Sequence, residues 1–179
     1  MEPITLTKQW LEKIVIDLSL CPFAAKVFYE DNILFLSADF TTIESSILIT
    51  EKAIRDILNP QTSFTTCLII YKSGLDSFDE FLDVYYTIED IILNSNHNPK
   101  IQFASFHPHY QFEGTQQSDL ENYTNRSPYP IIHLLRTDDV TAAIESHADI
   151  ESVPTRNIEM MKDLGLEKIR KLFESVYRT

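Results

Sequence analysis

A chain of 179 residues that is 44% hydrophobic and 11% aromatic can bury roughly two thirds of the surface its unfolded form exposes, so one globular domain over 1–179 accounts for it. A formal net charge of -12 makes the average surface repel phosphate backbones and anionic membranes, which argues against nucleic acid or a membrane as partner. Only three glycines, Gly74, Gly114 and Gly165, are present, too few for a Gly-rich phosphate cradle.

The start, MEPITLTKQWLEKIVIDLSL, is amphipathic and carries acids, unlike a secretory leader, and no run approaches the ~20 apolar residues of a membrane span. Cytoplasm is the expected compartment, and Cys21 and Cys67 are expected to be reduced thiols there. Leu6, Trp10, Leu11, Ile14, Val15 and Leu18 recur at three- and four-residue spacing, which predicts a helix over about 5–18. It should stop before Pro22, leaving Cys21 in a turn as an apolar plug or as a thiol facing a cleft. From Val27 the β-formers predict a strand at 33–37, second arm of a hairpin. Thr41-Thr42-Ile43-Glu44 has the spacing of a capping box and opens a helix to about Leu58.

Thr65 to Tyr71, TTCLIIY, is a continuous apolar run of the kind covered on both faces of a sheet, with Cys67 in the core. Ser77-Phe78-Asp79-Glu80 is a second capping box and opens a helix to about Leu93. Strands follow at Ile101 to Phe106 and Ile131 to Leu135, then a helix from Thr137 or Asp138 to about His147, and one or two more from Pro154 to Val176 broken near Gly165. Strands alternating with helices at this spacing predict an α/β fold, a single layered domain with a mixed sheet of about four to five strands packed by helices.

The stretch from His107 to Arg136, HPHYQFEGTQQSDLENYTNRSPYPIIHLLR, concentrates the chemistry. It lies between two predicted strands, where loops on a rigid scaffold tend to carry function. His107 and His133 fall at or near strand ends, where ligands gather in open α/β sheets. If the strands are neighbours, the two imidazoles converge as half of a zinc or iron site, and Cys21, His109, Glu113, Glu121 or Glu159 could complete it. Hydrogen bonds that merely pin the loop are the competing reading. Arg126 and Arg136 offer planar forks of donors for an anionic small molecule, or pair internally with the many acids. Asn122 and Asn125 would share in substrate binding, with Cys21, Glu121 or Glu159 as the catalytic group. Glu121 also ends a third capping-box pattern, Ser118 to Glu121, and so could simply close a short helix.

Leu20-Cys21-Pro22-Phe23, His107-Pro108 with Tyr110-Gln111-Phe112 and Gly114, Asn122 to Pro130, His133-Leu134-Leu135-Arg136 and Arg156-Asn157-Ile158-Glu159 together resemble the bacterial family catalogued as domain of unknown function 1415, over nearly the whole chain. The resemblance implies that Cys21, His107, Asn122, Asn125, Arg126, His133, Arg136, Asn157 and Glu159 belong to a shared signature, and that His109 and Glu113 stand outside it. Two expectations follow. One is a small-molecule enzyme whose polar pocket binds a divalent metal and an anionic substrate; the other is a non-catalytic ligand-binding or protein-interaction domain in which the polar block is structural.

Overall fold

The computed structural model describes residues 2–94, 100–146 and 149–178. Four strands, β1 (Ile33–Asp39), β2 (Thr66–Ser73), β3 (Ile101–Phe106) and β4 (Ile131–Arg136), form one mixed sheet in the order β1-β2-β4-β3. β1 and β2 are parallel, while β4 runs antiparallel to both β2 and β3. The sheet is the α/β layer that the alternation of elements predicts, with helices on each side.

Alternation along the strands divides the core in two. Cys67, Ile69 and Tyr71 of β2 and Ile132 and Leu134 of β4 face α3 (Ile43–Leu58) and α4 (Phe78–Leu93). Leu68 and Ile70 of β2 and Ile131 of β4 face the other way, toward α1 (Pro3–Trp10) and α6 (Val153–Val176). β2 is buried from Thr66 to Tyr71, as its unbroken apolar run requires, and burial pushes the Cys67 thiol up to about 12, which leaves it inert.

Three local departures from the expected elements shape the site. The first helix is α-helical only to Trp10; Leu11–Ile16 is a π-helical continuation, marked by Asp17 N–H donating to the Glu12 carbonyl five residues back at 3.0 Å. The expected hairpin arm before β1 is instead a short helix, α2 (Ala24–Tyr29), because Ala24, Val27 and Phe28 pack on the α1 side of the core at helical spacing. The cap of α3 is Thr42, whose hydroxyl accepts from Ser45 N–H while Ser45 Oγ accepts from Thr42 N–H, one position later than the Thr41–Glu44 box. Ser77 caps α4 as expected, accepting from Glu80 N–H. α5 (Thr137–Ser146) buries none of its residues, and its expected end at His147 lies outside the described residues. Gly165 interrupts α6 with φ of 71° and ψ of 159°, which glycine tolerates without the strain another residue would meet.

A candidate ligand cleft beneath the N-terminal helices

The strands place the two signature histidines on opposite faces of the sheet. His107 continues the Ile101, Phe103, Ser105 row of β3 and is fully buried between Phe78 and Phe81 of α4, each ring centroid 5.2 Å from the imidazole. Its Nε2 lies 3.0 Å from the Leu75 carbonyl, and its Nδ1 accepts from His109 N–H at 3.0 Å. A carbonyl only accepts, so Nε2 carries the proton and Nδ1 the lone pair. Both nitrogens are engaged, and burial holds the pKa below the ordinary histidine value.

His133 is opposite Ala104 on β3 and Leu68 on β2 and faces the α1 side. The expected metal pair, His107 with His133, is therefore not formed: a sheet separates the rings, and His107 has no free lone pair. Among the described residues, no group of three or more His, Cys, Asp and Glu side chains is arranged to hold a metal ion.

The polar block between the strands closes on itself. Asn122 is fully buried; its Oδ1 accepts from Phe112 N–H at 2.9 Å and Thr115 Oγ1 at 3.0 Å, and its Nδ2 donates to the Gln116 carbonyl at 2.8 Å. Arg126 Nε donates to the Tyr110 carbonyl and Nη2 to that of Gln117, while its guanidinium carbon lies 4.2 Å from the Tyr123 ring centroid. The Arg126 carbonyl accepts from Trp10 Nε1–H at 2.9 Å. Asn125 Oδ1 accepts from Thr124 Oγ1, and its Nδ2 reaches the Ser105 carbonyl at 3.5 Å. Glu121 pairs with Lys162 at 3.7 Å, and the turn that contains it, Leu120–Thr124, is a 3-10 helix with no side-chain cap. Asn157 Nδ2 donates to the Leu20 carbonyl and Arg156 to that of Ser19, tying α6 to the turn that carries Cys21. Glu159 is exposed on α6. These side chains organise backbone and do not line one common cleft.

Three of the expected site residues do meet. Cys21, His133 and Arg136 line a cleft of about 970 Å³ on the α1 side of the sheet, walled by Trp10, Leu11 and Val15 on one flank and by Val140, Ala142 and Ala143 of α5 on another. Its floor comes from Leu68, Ala104, Phe106 and Leu135. The cleft lies by the starts of β1 and β2, near Ile33, Thr65 and Thr66, not outside their C-terminal ends. The antiparallel β4 causes this: its C-terminal residue Arg136 sits at that same end, and α5 departs from it to make the outer wall. A π-helical turn in the opposite wall fits a site, since such widened turns recur at functional positions.

Within this apolar cleft His133 is held by a residue that sequence reasoning passed over. Thr66, opposite Leu135 and so diagonal to His133 on the same face, places Oγ1 2.7 Å from His133 Nε2 and 2.7 Å from the Leu134 carbonyl. The signal was present as a hydroxyl at the start of an otherwise apolar run, but only the strand register says which residue it meets. Burial pushes the His133 pKa down to about 4, so the ring is neutral at physiological pH. Arg136 is paired with Asp139, which offsets its charge at the rim.

Among the described residues no helix is long and apolar enough to cross a membrane. Neither the curated proteins nor the solved structures contain a match to this chain. A family model described as protein of unknown function (DUF1415) matches residues 2–171, which span every signature block from the Cys21 turn to Glu159, and the chain therefore belongs to that family.

Proposed function

We propose that this protein binds a small, predominantly apolar molecule in the cleft between the N-terminal helices, the sheet and α5, with the His133–Thr66 pair as its polar anchor. The observation that carries the reading is the cleft itself: about 970 Å³, mostly apolar walls, and one neutral imidazole fixed on its floor. Ligand sites have this anatomy, a hydrophobic concavity with a few placed polar groups. The polar block from Asn122 to Arg126 then serves as scaffold, because the hydrogen bonds of Asn122 and Arg126 go mostly to the chain's own backbone. The anionic ligand suggested by the two arginines is disfavoured on related grounds: Arg126 lies outside the cleft and is oriented by two backbone carbonyls, and Asp139 offsets the charge of Arg136.

Trp10 is the sole tryptophan and lines the cleft, so intrinsic fluorescence reports on occupancy. The uncharged probe N-phenyl-1-naphthylamine should brighten on binding and quench Trp10 together. Ala143→Phe, on a helix that buries none of its residues, should weaken probe binding at least about tenfold, roughly 1.4 kcal/mol, with an unchanged melting temperature. Probe binding that is equal in wild type and Ala143→Phe, or absent from wild type, refutes the cleft as a ligand site.

A further inference from the structure

His133 is more than a polar spot on an apolar floor, because its hydrogen bonding fixes which face of the ring the cleft meets. Two contacts converge on Thr66 Oγ1, one to the Leu134 carbonyl and one to His133 Nε2, each at 2.7 Å. Contacts that short between electronegative atoms each need a hydrogen between them. Threonine has one to give, and the carbonyl can only accept, so the hydroxyl proton goes to Leu134. The second hydrogen must come from the imidazole, which makes His133 the Nε2–H tautomer. Nδ1 then holds the lone pair, and among the described residues no partner takes it.

Resting on the cleft as the binding site, we infer that His133 Nδ1 is an obligate hydrogen-bond acceptor and that the ligand is an uncharged, largely apolar molecule bearing a hydroxyl or N–H group that donates to it. The low pKa of the ring fits this arrangement, since a protonated Nδ1 would repel the same donor. The charged groups around the cleft are Lys26 and Glu30 of the α2 region and the Arg136–Asp139 pair where β4 meets α5. Two basic and two acidic groups stand there, so the wall selects no net charge. A ligand with acceptors only would leave the Nδ1 lone pair desolvated and unmatched, and a buried polar group without its partner costs on the order of 1–3 kcal/mol. A carboxylate would in addition bring its own charge against that lone pair.

Three probes of one shape separate the possibilities by calorimetry at neutral pH: 2-naphthol, which donates; 2-methoxynaphthalene, which only accepts; and 2-naphthoate, which is anionic. The expected order is naphthol tighter than the other two by about tenfold, corresponding to ~1.4 kcal/mol. In His133→Phe that preference should vanish while methoxynaphthalene still binds. On the wild-type protein, independent of any variant, imidazole ¹⁵N spectra should show His133 with the proton on Nε2 throughout pH 5.5–8, and naphthol should shift Nδ1 while methoxynaphthalene leaves it in place. Equal affinity for naphthol and methoxynaphthalene, a preference for naphthoate, or a proton on Nδ1 overturns the inference and leaves the cleft standing. If none of the three binds, the cleft reading falls as well.

Discussion

The block around Asn122 and Arg126 and the cleft around His133 use the same kinds of residue to opposite ends. In the block, Asn122 and His107 have their polar groups matched within the chain and Arg126 is held by two carbonyls, so the more polar of the two regions is turned largely to its own backbone. In the cleft the walls are apolar and one ring keeps a lone pair unspent. Density of polar side chains is thus a poor guide to a binding site. What marks a site is an unmet hydrogen-bonding valence facing space.

The sharpest way to break this contrast is on the saturated side. His107→Ala removes a fully buried ring held between Phe78 and Phe81 and orphans the Leu75 carbonyl and His109 N–H. It should cost about 3–4 kcal/mol of unfolding free energy by urea titration, from the cavity and the stranded polar groups together. An unchanged or raised stability would mean that the His107 region is a strained site after all.

The pH dependence of stability tests the other side. Burial depresses the pKa of His133 to about 4 and lowers that of His107, whereas an unfolded histidine titrates near 6.5. Between those values the unfolded chain binds the proton and the folded chain does not, so stability is full above about pH 6.5 and declines as pH falls toward 4. The His133 share is about 3.4 kcal/mol at most, by 1.36 kcal/mol per pKa unit. Urea titrations of wild type and His133→Phe at pH 7 and 4.5 should show the variant losing correspondingly less. Parallel losses would place His133 in solvent.

The smallest effects are expected where sequence suggested catalytic carboxylates. Glu121→Ala breaks an ion pair whose lysine is largely exposed, and Glu159→Ala alters an exposed helix position, so each should change stability by no more than about 0.5 kcal/mol. Probe binding in the cleft should be unaffected by Glu159→Ala.

Much of the architecture could be read from the chain because it depends on local rules. The apolar run of β2, the β3 and β4 segments and the Ser77 cap follow from periodicity and capping alone. The hairpin arm before β1 was misread because a six-residue segment holds too few turns to separate a period of 3.6 from one of 2, and packing settled it as helix. The site was only half legible. Cys21, His133 and Arg136 could be named, but Thr66 and the α5 wall could not, since they join through the β2–β4 register, which no single segment encodes. Parity decided the metal pair: His107 and His133 each belong to a plausible row, and only the pairing of Ala104 with His133 reveals that the rows face apart.

The wide turn from Leu11 to Ile16 makes the cleft wall sensitive to chain length as well as to side chains. Each hydrogen-bonded loop there encloses one residue more than an ordinary helical turn. Deleting Lys13 would let the backbone relax to the tighter spiral, and because the residue lost is the extra one of the wide turn, the turns on either side would keep their register. Trp10 would then keep the Arg126 carbonyl it caps, and the change would fall on the cleft wall at Leu11 and Val15. A one-residue deletion here should therefore be tolerated better than the same deletion in an ordinary helix, which makes the length of this segment a heritable dimension of the pocket wall.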